Sequence, residues 1–197
     1  MCHAVLQDPA FFRFLCCIDE ELAATTRLGR CPRCGGPLHV ADYPRKPRGC
    51  PAALREAYSR RSSFTCGQCN ARTTAPSVRF AGRRVYLAVV LMLVSPPGCS
   101  SARALREVLS IPICTLQRWR TWWREDFPST PFWQSVRERF MPPVTTTQLP
   151  QSLLARFEAG AMSARLVQLL CFVAPLSHAP QPSYPKVAAA PQRMPIA

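Results

Sequence analysis

The sequence predicts a mostly α chain carrying one small β module, and three observations support that. Two Cys-x-x-Cys pairs, Cys31/Cys34 and Cys66/Cys69, are separated by 31 residues, and each is followed by a residue that tolerates positive φ, Gly35 and Asn70. Short alternating stretches flank the pairs, as strands around a metal would. From residue 85 onward, apolar residues recur at helical spacing between proline breaks. Four thiolates at this spacing suit one tetrahedral zinc ion. The expected fold is therefore mostly α with a small β zinc ribbon.

Composition narrows the partners. The 197 residues carry a net charge of +14, and 23 of the 25 basic side chains are Arg. Residues 27–84 hold thirteen basic and two acidic residues, so they carry most of the net charge. Such a segment makes a strong positive potential, and Arg forms forked bonds to phosphate. Nucleic acid is the favoured partner, because the arginines surround a metal module rather than an amphipathic helix. The other seven of the 11 cysteines are scattered, which fits reduced thiols better than a disulfide framework. No secretory signal is visible, and the longest apolar run, Val85–Val94, is about half the ~20 residues a spanning helix needs. A soluble, cytoplasmic, nucleoid-associated protein with no membrane partner is expected.

Residues 1–29 are read as an N-terminal helix over 8–26. Asp8 caps it, Pro9 takes its first position, and Phe11, Phe14, Leu15, Ile18 and Leu22 form its apolar face. Adjacent Cys16 and Cys17 point different ways on a helix and are read as packing rather than metal ligands.

Residues 30–75 are the zinc ribbon with a basic loop. Pro37–Tyr43, Ser62–Thr65 and Ala71–Thr74 are the expected strands. A module this small has little core, so structural Zn²⁺ held by Cys31, Cys34, Cys66 and Cys69 would supply folding free energy, on the order of 10–16 kcal/mol in small zinc peptides. His39 and Cys50 rank below these four as ligands. Between the pairs, Arg45, Lys46 and Arg48 lie on an arm with two prolines, and Arg60 and Arg61 follow a short helical stretch, Ala52–Tyr58. The arm is expected to lie along a phosphate backbone, with Tyr43 or Tyr58 available to stack. A solvated loop is the plainer alternative.

Residues 75–84 read as a linker ending in Gly82-Arg83-Arg84, which adds two candidate DNA contacts. Residues 76–141 then form a helix-turn-helix bundle. Tyr86–Val94 is apolar on nearly all sides, as a central helix would be. Ala102–Leu109, the turn Ser110-Ile111-Pro112 and a helix from Ile113 to Glu125 follow. Ser110 stands where Gly is common. Leu116, Trp119 and Trp123 share the inward side, and Ile113, Gln117, Arg120, Thr121 and Arg124 the outward one. Gln117 and Arg120 could read base edges, and Arg118 is placed for phosphate. An ordinary helical hairpin is the alternative. Trp133 and Phe140 are expected to pack on the bundle. Residues 142–174 read as a linker and a C-terminal helix interrupted at Gly160, with an apolar face that could serve an oligomer contact. Residues 175–197 read as a disordered tail.

A four-Cys ribbon followed by Thr115-Leu116-Gln117-Arg118-Trp119 on a second helix resembles the DNA-recognition region of bacterial transposases and transposon-associated proteins, over roughly residues 31–125. The resemblance implies double-stranded DNA as partner and a recombinase or transposase as a possible second one. It also implies DNA contacts from both ribbon and second helix. A transposase catalytic domain needs three carboxylates for two Mg²⁺ ions. The 11 acidic residues here are dispersed, so an accessory factor or regulator without catalysis is expected. Alternatives are a ribbon that docks a polymerase or transposase, and an RNA-binding ribbon stacking bases on Tyr43, Tyr58 and Phe64.

Overall fold

A computed structural model describes residues 2–96, 100–157 and 160–178. Most of the expected tail (179–197) and part of the expected break after the central helix (97–99) lie outside the described residues.

Helix α1 (Cys2–Gln7) leads into α2 (Pro9–Leu28). The Asp8 carboxylate accepts from the Ala10 N–H at 2.9 Å, so the expected cap forms. The buried face differs by one position. Phe12 is fully buried beside Phe11 and Leu15, whereas Phe14 is exposed. Helical spacing alone does not fix the edge of a stripe, and Phe12 wins because Tyr58 packs edge-on against it.

The β module follows. Strands β1 (Leu38–Val40), β4 (Ser63–Cys66) and β5 (Arg72–Thr74) form an antiparallel sheet in the order β1-β4-β5. Leu38 pairs with Cys66 and Phe64 with Thr73. A two-stranded ribbon, β2 (Tyr43–Pro44) with β3 (Arg60–Arg61), extends from it. The expected helix over Ala52–Tyr58 is only a 3₁₀ turn, Ala52–Leu54. Cys31, Leu38, Phe64, Cys66 and Ala75 make a small apolar cluster of their own.

The segment read as a linker is not one. Ala75, Ser77, Val78, Arg79 and Phe80 are all buried. The Asp19 carboxylate of α2 accepts from Ser77 Oγ at 2.6 Å, Val78 N at 2.7 Å and Arg79 Nε at 2.6 Å. Arg79 also donates to the Ala57 carbonyl at 2.7 Å. A polar-looking stretch is thus drawn inside by one carboxylate that satisfies three donors.

Helix α3 (Ala88–Val94) is buried on every side, as its sequence predicts. Around it pack α4 (Ser100–Val108), α5 (Ile113–Thr121), α7 (Pro131–Val136) and α9 (Met162–Val173). Helix α5 runs on through a wide π turn, Trp122–Asp126, into the short α6 (Phe127–Ser129). The wider turn lets Trp119, Trp123 and Phe127 all face the core. Trp133 is buried against Phe127 and stacks on Phe140 at 5.9 Å.

The C-terminal hydrophobic stretch divides into α8 (Gln151–Leu154) and α9. Leu153, Leu166, Leu169 and Leu170 are fully buried in the common core, so that face is covered within the chain. Residues 175–177, assigned to the tail, belong instead to a 3₁₀ turn, Ala174–Ser177, whose Ser177 is buried. No described helix is long and apolar enough to cross a membrane.

Candidate metal centre and basic clefts

Two matching turns bring the four cysteine sulfurs together. In the first, the Gly35 N–H donates to the Cys31 carbonyl at 2.8 Å, with Gly35 at φ 71°. In the second, the Asn70 N–H donates to the Cys66 carbonyl at 3.1 Å, with Asn70 at φ 56°. Both residues occupy the left-handed region that Gly and Asn tolerate. Strand pairing does the rest, since the Leu38–Cys66 register sets one turn beside the other.

The sulfurs of Cys31 and Cys69 lie 3.7 Å apart, and those of Cys34 and Cys66 3.4 Å. All four lie within 4.8 Å of one another. A tetrahedron with metal–sulfur bonds of ~2.3 Å has edges of about 3.8 Å, so the set fits one tetrahedral ion. Cys31 and Cys66 are buried and Cys34 is exposed. The N–H groups of Cys69 and then Gln68 pull the Cys66 thiol down to about 6. The Gly36 N–H also acts to lower the Cys34 thiol, but the neighbouring Cys69 and Cys66 sulfurs outweigh it and push it up to about 12. Among the described residues, neither His39 nor Cys50 joins the cluster.

The predicted cationic residues separate into three groups. Lys46, Arg60, Arg83, Arg118 and Arg124 are exposed, as is Gln117, and Thr121 is half-buried. Arg45, Arg48, Arg84 and Arg120 are tied down at one end. Arg45 donates to the Arg84 carbonyl, and Arg48 lies over the Tyr86 ring at 5.7 Å. Arg84 lies over the Trp122 ring at 4.8 Å. Arg120 donates to the Ser95 carbonyl at 3.2 Å, turned toward the end of α3.

Arg61 is a correction. It is only 2% exposed and cannot reach a phosphate backbone. Its fork instead joins three carbonyls, those of Gly82 at 3.0 Å, Ala75 at 3.3 Å and Ser177 at 2.8 Å. The alternation that turns Arg60 outward turns Arg61 inward. Tyr58 is likewise unavailable for stacking, being buried with its hydroxyl donating to the Phe12 carbonyl at 2.9 Å. Phe64 is buried in the ribbon.

Arg45, Arg48, Arg83, Arg84, Arg118 and Arg120 border three clefts, whose linings do not include Lys46, Arg60 or Arg124. One, of about 830 Å³, brings Arg48 of the β module and Arg84 of the chain after it beside Gln117, Arg118, Thr121 and Asp126. A second, of about 550 Å³, is lined by Arg103, Arg106, Ile113 and Arg120. A third, of about 840 Å³, holds Arg45, Arg61, Arg72, Arg83 and His178. Arg72, Arg103, Arg106 and His178 were not singled out in the sequence. Arg103 and Arg106, three apart on α4, carry a readable same-face signal, whereas nothing local marks Arg72 or His178. No family model, no curated protein and no solved structure matches the chain.

Proposed function

We propose that the chain is a zinc-stabilised DNA-binding protein that reads sequence through α5 and serves as an accessory factor or regulator of a mobile element, with no reaction of its own. The observation that carries this reading is the cleft shared by Arg48, Arg84, Gln117, Arg118 and Thr121. Residues from the basic loop, the chain after it and α5, distant in sequence, face one space. A polyanion is the partner that such a surface attracts.

Further features support the same reading. Helices α4 and α5 are joined by a tight turn in which Ser110 takes φ 48°, the conformation for which Gly is favoured in helix-turn-helix units. Helix α5 buries Leu116 and Trp119 and exposes Gln117 and Arg118. Gln117 is suited to an adenine edge, and Arg118 to guanine or phosphate. Zinc in the four-sulfur site would be fully coordinated, a structural ion that holds the β module folded. Arg120 is a weaker base-reader than its position implies, because its Nε is engaged by Ser95.

A random-duplex selection tests the proposal. A defined consensus is expected, with affinity falling steeply as salt rises. Gln117→Ala should relax one position of that consensus, and Arg118→Ala should weaken binding. Recovery of no consensus, or salt-independent binding, would refute it. A docking role for a polymerase or transposase is the second reading, favoured by exposed Val108 and Ile113 on α4 and α5. It predicts bound zinc with no measurable duplex affinity. An RNA-binding ribbon is disfavoured, since Tyr58 and Phe64 are buried.

A further inference from the structure

The cleft of about 840 Å³ between the β module and the C-terminal turn plays no part in the reading above and shares no lining residue with the α5 cleft. Its lining holds four arginines and no carboxylate. Arg61 sits at its base. Arg61 is 2% exposed, and its guanidinium is solvated by carbonyl groups and by the Ser177 hydroxyl at 3.1 Å, with its Nε buried and unpartnered. The buried carboxylate of Asp19 is committed to Arg79 at 2.6 Å. Carbonyl dipoles orient a guanidinium but do not cancel its charge, and a buried charge calls for a counter-ion. Burial lowers the pKa of Arg61; Arg45 acts in the same direction, and Tyr43 and Asp19 act against it.

The other cations are held ready above it. Arg72 donates through Nε to Ser63 Oγ at 2.9 Å and through one amino group to the Ala41 carbonyl at 2.7 Å, with its guanidinium carbon 5.3 Å from the Tyr43 ring centre. Arg45 uses one amino group on the Arg84 carbonyl and lies 5.2 Å from the Phe80 ring centre. Each keeps N–H donors that are unspent yet fixed in direction. Arg83 is exposed at the rim. Pre-ordered guanidinium forks are the donors best matched to phosphate oxygens.

We propose that this cleft is an anion site that takes a phosphate group, with Arg45, Arg72 and Arg83 as donors and the buried charge of Arg61 beneath them. The phosphate belongs either to a free polyphosphate or to the backbone of a bound duplex; only the second source rests on the DNA-binding reading. The test is calorimetric titration of the full, zinc-loaded chain with sodium tripolyphosphate at low ionic strength. Saturable one-to-one binding is expected, weakened about tenfold or more by Arg83→Glu and unchanged by Arg118→Ala. An unchanged thermal melt for Arg83→Glu would show that the loss is not unfolding, and Arg45→Ala provides a second variant. Displacement of tripolyphosphate by duplex identifies the backbone as the source, and its persistence in the presence of duplex identifies the free anion. Absence of saturable binding would overturn the site. Equal weakening by Arg118→Ala would do so too, since it would reduce the effect to overall charge. Failure of the DNA-binding reading would be distinguishable, as lost duplex affinity with tripolyphosphate binding intact.

Discussion

Arg60 and Arg61 are neighbours with opposite duties. Arg60 is exposed, whereas Arg61 joins the carbonyls of Gly82, Ala75 and Ser177 from inside. Lys cannot replace that planar fork. Arg61→Lys should therefore lower stability by ~1–3 kcal/mol, read as a shifted denaturation midpoint. Arg60→Ala should leave the midpoint within about 0.5 kcal/mol. Asp19 is the more severe position. Its carboxylate satisfies Ser77, Val78 and Arg79 at once. Asp19→Ala would strand a buried guanidinium, and breaking a buried pair in this way costs about 3–5 kcal/mol. A midpoint unchanged from wild type would show that Arg79 finds another partner. None of these duties is written locally. An Arg reads the same in sequence whether it meets solvent or the carbonyl of a residue 116 positions away.

The two cysteine turns were legible because their chemistry is local. Spacing identifies the sulfurs, and Gly35 and Asn70 announce the positive φ that each turn requires. The turns also make a prediction that spacing alone does not. A Cβ on Gly36 would lie 2.9 Å from the Cys66 sulfur, whereas one on Gly67 would meet the ring of exposed His39 at 2.7 Å. The sulfur is held by its site and the ring can swing away. Gly36→Ala should accordingly lose metal to a competing chelator faster than wild type, and Gly67→Ala should not. Equal chelation rates would sink this. In the α4–α5 turn, Ser110 at φ 48° costs what a side chain pays in the left-handed region. Ser110→Gly should raise stability by up to ~1 kcal/mol, seen as a higher melting temperature. Helix α5 was readable from its buried Leu116 and Trp119, and the segment that continues it from Trp123. The expected helix to Glu125 covers that segment, but its widening into a π turn was not readable, because an extra residue in a turn has no periodic signature.

The described residues form two apolar clusters, a large one spanning Val5 to Ala174 and a small one around the cysteines. Metal should matter unequally to them. Chelation is expected to erase amide-exchange protection in β1, β4 and β5 while leaving most of the helical circular dichroism in place. A single cooperative loss of both signals would show that the clusters are one unit. Acid should act in the same direction. The Cys66 pKa is depressed to about 6 by N–H groups, so its thiolate favours the folded β module above the ordinary thiol pKa and this contribution is lost as pH falls through about 6. Protons also compete with metal for all four sulfurs. Metal release should therefore steepen below that pH, which a chelating dye can follow. A small β module beside a mostly helical body was legible from the cysteine spacing and the apolar periodicity. The burial of residues 75–80 was not, since their partners lie on α2 and on the last described turn.

That last turn has a consequence for how the protein comes into being. Ser177 accepts from Arg61 and from the Ser77 N–H at 2.8 Å, closing contacts that span a hundred residues or more. During synthesis the four cysteines emerge early, and the turns and strand pairs that gather their sulfurs lie within residues 31–74. The floor of the arginine cleft must wait until Ser177 leaves the ribosome. A nascent chain would thus be metal-competent well before that cleft has its final shape.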